Sequence, residues 1–181
     1  MSYNITVKQG NLLDENDATF IVNASNTTLI LGSGVSMAFK RHCGYELQKE
    51  MTSQLNAIGK LKKGDVVATS SAQANNFQYA LHVAVMDYNQ GVRGNDKLPL
   101  LQDIENSLKN IELYLRWYSD KNSSKKIKLV LPLMGCGIGG LDKKEVIRAY
   151  KKHFKEPTVF DCEVFVYGYS KEDYSLLQIN L

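Results

Sequence analysis

The chain has 181 residues, 44% of them hydrophobic and 23% charged, with 22 Lys and Arg against 19 Asp and Glu. That is the composition of a globular chain long enough to bury roughly 70% of its unfolded surface without disulfides or a structural metal. It points away from a membrane protein, since no apolar run approaches the roughly 20 residues of a spanning helix, and a net charge of +3 is too mild for a nucleic-acid footprint.

Met1 to Gly10 lacks the apolar stretch of a signal peptide. The three cysteines, Cys43, Cys136 and Cys162, stand far apart, with no Cys-x-x-Cys pair and no histidine at zinc-ligand spacing. The expectation is one cytoplasmic domain over residues 1–181, with no metal site.

In chain order, Ile5 and Val7 alternate as in a strand, and Thr19 to Val22 form a second, short one with Asn23 at its end. Gly32 and Gly34 break the pattern. Val35, Ala38, Phe39 and His42 then fall on one helical face, so a helix starts just past the glycines. Asp65 to Thr69 and Tyr79 to Val85 read as strands, and Ile104, Leu108, Ile111 and Leu115 mark a long amphipathic helix over Leu101 to Tyr118. Ile127 to Met134 is the most continuously apolar run, as expected of a strand buried on both faces at the sheet centre, with Pro132 near its end. Asp142 with Glu145 opens a capped helix through Val146, Ile147, Tyr150 and Phe154. Val164 to Tyr169 is the last strand, and Ser170 with Asp173 starts a terminal helix.

Strands alternating with helices predict an α/β domain with a mixed sheet covered on both sides, and in such sheets ligands bind outside the carboxyl ends of the strands. The loops after Val22 and Met134 are therefore where chemistry belongs. The first runs Asn23-Ala24-Ser25-Asn26 and on to Leu31-Gly32-Ser33-Gly34-Val35; the second runs Gly135-Cys136-Gly137-Ile138-Gly139-Gly140. Glycines let backbone N–H groups approach a phosphate, and a helix N-terminus adds roughly half a positive charge. Two such loops side by side form a diphosphate cradle that needs no lysine, metal or bound cofactor. Gly135, Gly137 and Gly140 also satisfy GxGxxG, with Asp161 about 20 residues on, so a nicotinamide or flavin dinucleotide site is the alternative. That fingerprint normally follows the first strand of its unit, whereas only one strand is expected after Gly140.

Order, spacing and strand context together resemble the macro domain family, which carries a loop close to N-A-A-N followed by a glycine run and G-V-D, and a second loop close to S-T-G-I-F-G. The counterparts here are Asn23 to Asn26, Gly32 to Ser36, and Gly135 to Gly139, while Gln9-Gly10-Asn11-Leu12 is similar to the family's opening G-D-I. The resemblance implies a three-layer α/β/α fold that binds ADP-ribose, a derivative of it, or an ADP-ribosylated protein. It places Asn11 on the adenine amino group, Leu12 with its backbone N–H on the adenine, Asn26 on the distal ribose hydroxyls, and Tyr169 stacked on adenine. It implies no membrane or specific nucleic-acid partner.

The departures bear on catalysis. Members that hydrolyse ADP-ribose esters use the Asp of G-V-D to position water, and Ser36 stands there, a hydroxyl with no basicity of its own at neutral pH. Gly139 stands where many members place an aromatic. A glycohydrolase branch uses a lysine and an aspartate, whose counterparts here are Met86 or Asp87, and Gly139. Asn26 and Ser36 are the remaining catalytic candidates, for deacetylation of O-acetyl-ADP-ribose, protein de-ADP-ribosylation or dephosphorylation of ADP-ribose 1″-phosphate. Of the other reactive side chains, Lys40 is expected to face solvent, His42 to be half-buried, His82 to be packed in its strand, and Cys136 to be a small residue in a crowded turn. The polar segment of Asp87, Tyr88, Asn89, Arg93 and Asn95 is expected to border the cleft.

Overall fold

The computed structural model describes residues 1–32, 34–123 and 125–181. Its strands are β1 (Tyr3–Gln9), β2 (Ala18–Asn26), β3 (Val66–Ser70), β4 (Phe77–Met86), β5 (Ile127–Pro132) and β6 (Cys162–Gly168), and its helices are α1 (Val35–Cys43), α2 (Glu46–Ile58), α3 (Leu101–Lys121), α4 (Lys143–His153) and α5 (Lys171–Asn180). The sheet order is β1-β6-β5-β2-β4-β3, parallel except for β3, which runs antiparallel to β4. The expected mixed α/β/α sandwich is therefore the fold observed.

Period-two alternation in the central strands sends side chains to two cores. Phe20, Val22, Leu129 and Leu131 pack with Ile104, Leu108, Ile111 and Leu115 of α3 and Val146, Ile147 and Tyr150 of α4. Ile21 and Val130 face the other way, against Phe39 and Cys43 of α1 and Leu47 and Met51 of α2. Asp142 caps α4 by accepting from the Glu145 N–H at 3.1 Å, and Ser170 caps α5 by accepting from the Asp173 N–H, as their spacing predicts.

Three details differ from the sequence reading. Residues Asn23 to Asn26, expected as a turn, continue β2, with a register shift against β4 between Ser25 and Asn26. Helix α2 had no counterpart in that reading: Gly44, at φ +77°, ends α1, and the chain re-enters a helix almost at once, presenting Leu47 and Met51 to the core. His42 is exposed rather than half-buried, with Nε2 2.6 Å from Asn76 Oδ1.

β3 is a sheet edge whose outward backbone is closed by side chains. The Tyr114 hydroxyl donates to the Val66 carbonyl at 3.1 Å, and Glu50 accepts from the Ser70 N–H and hydroxyl. Such closure suppresses edge-to-edge pairing. Among the described residues no helix is long and apolar enough to cross a membrane.

Glu15, just past the short 3-10 turn Leu12–Asp14, is a buried carboxylate at the junction of the first loop and the sheet. It accepts from Lys8 Nζ at 2.6 Å, Lys128 Nζ at 2.8 Å and the Tyr167 hydroxyl at 3.0 Å, and both ammonium groups also lie over the Phe165 ring, 4.7 and 4.6 Å from its centroid. Burial pushes its carboxyl up, but these three donors outweigh burial and hold it at about 2, down from 4.5. Because the folded value lies below the unfolded one, its stabilisation is complete above pH 4.5 and is lost as pH falls towards 2. Urea midpoints should therefore decline through that window, while Glu15→Gln should flatten the decline and cost about 2 kcal/mol at neutral pH by leaving Lys128 poorly paired. An unchanged midpoint in Glu15→Gln would remove the cluster from the account of stability.

Candidate functional site

The carboxyl ends of the adjacent parallel strands β2 and β5 open into a cleft of about 640 Å³. One wall is the segment from Gly32 through Gly34 and Val35 to Ser36; the other is Gly135, Gly137, Ile138 and Gly139. Ser33, expected in the first wall, lies outside the described residues. Helix α1 begins at this wall with Gly34 as its N-cap at φ +59° and ψ −130°, a conformation reserved for glycine, and no side chain among the described residues caps it. Its first backbone N–H groups, which have no acceptor inside the helix, are thus left for an anion in the cleft.

Two glycines of the second wall, Gly135 and Gly139, have no space for a side chain. A Cβ on Gly139 would lie 2.6 Å from the Gly135 carbonyl oxygen and 2.9 Å from the Pro99 ring, and one on Gly135 would lie 2.8 Å from Leu141. Neither an aromatic nor an aspartate fits at Gly139 in this loop. The loop is also held from below: the buried Tyr150 hydroxyl donates to the Pro132 carbonyl at 2.6 Å and accepts from the Met134 N–H at 2.9 Å. Pro132 has no N–H of its own, so this bridge joins the strand end to the glycine turn.

Behind the first wall lies a buried polar chain. Ser36 donates its hydroxyl proton to Asn23 Oδ1 at 3.0 Å, Asn23 Nδ2 lies 3.0 Å from His82 Nδ1, and His82 Nε2 lies 2.8 Å from Thr69 Oγ1. An amide nitrogen only donates, so Nδ1 accepts and the ring proton sits on Nε2. Burial pushes His82 down to about 3, leaving the imidazole neutral. His82 is packed in its strand, as its sequence context predicts. Asn23, a candidate ligand contact, is instead fully buried with its carboxamide committed to His82 and Ser36.

Asn26 lines the cleft, but its carboxamide also builds the turn after β2: Oδ1 accepts from the Thr28 N–H at 3.1 Å and the Thr28 hydroxyl at 2.8 Å, and Nδ2 donates to the Ile30 carbonyl at 3.0 Å. Asn11 caps the 3-10 turn by accepting from the Leu13 N–H at 3.0 Å, which occupies one lone pair of the oxygen expected on adenine. Leu12 is buried in that turn, and Tyr169, directly after β6, is 81% exposed. Both follow strands beside the cleft and stand outside its immediate walls, as does Cys136, whose thiol lies 3.7 Å from the Met134 carbonyl oxygen and is pushed up to about 11 by burial.

Of the polar segment expected to border the cleft, Tyr88 lines it, whereas Asp87, Asn89, Arg93 and Asn95 do not; sequence reasoning missed Thr28 and Ile30, and the Val85 and Met86 side of β4. The available signal was parallel pairing of β4 with β2, which puts both strand ends on one side. Among the described residues lining the cleft there is no Asp, Glu, Lys, Arg or His. A larger groove, about 770 Å³, runs along β3 between α2 and α3, lined by Tyr79, Tyr114 and Trp117. It has no glycine loop or helix N-terminus, and its strand edge is the one closed by Tyr114 and Glu50.

Fold and cleft together define an α/β/α domain with a glycine-lined cleft at the ends of its two central strands. The chain belongs to the macro domain family: the Macro domain family model matches residues 22–150. A protein of Sulfolobus acidocaldarius is 28% identical over 164 residues, 90% of this chain and 82% of that one. A macro domain-containing protein of Listeria monocytogenes is 29% identical over 142 residues, 77% of this chain and 72% of that one. Among solved structures, the Oceanobacillus iheyensis macrodomain with ADP matches with a TM-score of 0.75 at 22% identity, over 97% of this chain and 88% of that one. The Trypanosoma brucei macrodomain in complex with ADP-ribose matches with a TM-score of 0.73 at 19% identity, over 97% of this chain and 68% of that one. At these identities the two structures establish likeness of fold.

Proposed function

We propose that the chain binds ADP-ribose, free or attached to a protein, with the diphosphate between the walls at Gly32 to Val35 and Gly135 to Ile138. The observation that carries this reading is the N-terminus of α1, uncapped by any described side chain, beside a loop whose Gly135 and Gly139 exclude side chains, in a cleft with no carboxylate among its described lining residues. Backbone N–H groups and the helix dipole favour a dianion there without a lysine. The similar macrodomains with ADP and with ADP-ribose support the same ligand class.

The adenine contacts that the family resemblance implies at Asn11 and Tyr169, taken with the strand order, support one direction of the ligand. From Tyr169 after β6, past β5 and β2, to Tyr88 after β4 is three strand spacings, roughly 14 Å in all. An extended ADP-ribose matches that span, with adenine towards Asn11 and Tyr169 and the distal ribose towards β4.

The lining supports binding better than hydrolysis. Ser36 gives its proton to an amide oxygen, which is no base, and the neutral His82 reaches it only through Asn23. Titration calorimetry should give a micromolar dissociation constant for ADP-ribose, about −8 kcal/mol, with AMP binding far more weakly. Absence of heat and of competition at millimolar ADP-ribose would remove the reading. Incubation with O-acetyl-ADP-ribose, ADP-ribosylated protein and ADP-ribose 1″-phosphate should release no product above buffer.

A further inference from the structure

Beyond the diphosphate cradle, the cleft changes character where β4 ends. Val85 and Met86 form an apolar floor there, and Tyr88 is the one aromatic side chain among the described lining residues. Tyr88 is 43% exposed, so its ring is not consumed by the core. Its backbone, by contrast, is clamped. The Tyr88 N–H donates to Thr27 Oγ1 at 2.9 Å, Thr27 Oγ1 donates to Asp87 Oδ1 at 3.1 Å, and the Thr27 N–H donates to the Met86 carbonyl at 2.9 Å. Asn89 continues the clamp by donating to the Leu61 carbonyl at 2.8 Å. The same cleft is lined by Gly139, which the Gly135 carbonyl and Pro99 keep free of any side chain.

A half-exposed aromatic on a fixed backbone, in a cleft with no charged side chain among its described lining residues, is suited to the C–H face of a sugar. Such a ring covers apolar ring faces while its hydroxyl stays available to a polar edge. We propose that Tyr88 is the specificity-determining residue for the distal ribose, packing its ring on that sugar and so separating ADP-ribose from ADP. This inference rests on the ADP-ribose reading of the cleft. It assigns the recognition to the β4 end, which none of the glycine-loop residues requires.

The test measures ADP-ribose and ADP affinities by calorimetry for the wild type, Tyr88→Ala and Tyr88→Phe, with melting temperatures alongside. In Tyr88→Ala the ADP-ribose affinity should fall about three- to tenfold with ADP unchanged within about twofold, and Tyr88→Phe should retain the wild-type preference. Proton spectra of bound ADP-ribose add a readout that a structural role would not move: distal-ribose resonances should shift upfield under the Tyr88 ring current in the wild type and in Tyr88→Phe, and lose that shift in Tyr88→Ala. Equal loss of ADP and ADP-ribose, or no loss of either, overturns the assignment while leaving the cleft a nucleotide site. A wild-type protein that binds neither ligand overturns the reading on which the assignment rests.

Discussion

Gly34→Glu should lower ADP-ribose affinity by more than about 100-fold, equivalent to about 3 kcal/mol. Two independent effects act in the same direction. The new carboxylate would stand at the uncapped N-terminus of α1, where it accepts from the N–H groups meant for the ligand and repels the diphosphate. Nothing lies within 4 Å of the added Cβ, so no clash would expel the side chain from the cleft wall. The backbone effect is separate: φ +59° with ψ −130° is strained for any residue with a Cβ, at roughly 1–3 kcal/mol. The melting temperature should therefore drop by a few degrees in both Gly34→Glu and Gly34→Ala, whereas the large affinity loss should be confined to the glutamate. Wild-type affinity in Gly34→Glu would place the ligand elsewhere.

Gly168→Ala should be the most destabilising single methyl in the molecule's ligand-binding half. Gly168 ends β6 under the first turn of α5, and a Cβ there would lie 2.5 Å from the Tyr174 nitrogen and 2.8 Å from the Asp173 carbonyl carbon. Both obstacles are backbone, so the helix itself has to move. That displaces Leu177 from the core and strains the Lys143–Asp173 ion pair of 2.6 Å that joins α5 to α4. The expected cost is about 3 kcal/mol, a fall of roughly 6–12 °C in calorimetric melting temperature for a chain of this size. A shift below about 3 °C would mean that α5 is free to ride outward and carries little of the stability.

Much of this architecture is legible in the residue pattern, for reasons that differ by element. β5 announces itself because a strand covered on both faces has no polar side to show, and α4 because Asp142 and Glu145 stand at capping distance. The two glycine loops are readable because backbone contact with a phosphate excludes side chains. What hides is whatever depends on a partner distant in sequence. Asn23 looks like a turn residue until His82 and Ser36 are beside it, and only then does an amide inside a strand become a satisfied group rather than an error. Asn26 reads as a ligand contact, yet its carboxamide is bonded to Thr28 and Ile30. Helix α2 is obscured because Gly44 ends α1 only a residue before the next helix begins. Tyr88 is legible only as one of five polar-segment residues expected at the border, and the parallel pairing of β4 with β2 is what singles it out from Asp87, Asn89, Arg93 and Asn95.

The pairing of β1 with β6 has a consequence for how the molecule is made. Tyr3 to Gln9 lie alongside Cys162 to Gly168, and Gly10 donates to the Gly168 carbonyl at 3.0 Å, so the two extremes of the described chain close one side of the sheet. A chain emerging from the ribosome holds β1 without its neighbour until β6 has been synthesised, and β5 presents a bare hydrophobic flank from its own synthesis until then. Contacts of such long sequence separation form late and slowly, and an unpaired strand is the usual point of misassociation in nascent chains. The rim carrying Asn11 and Tyr169, just outside the cleft walls, is thus assembled only once β6 has paired with β1, and occupancy of that rim would report this closure of the sheet.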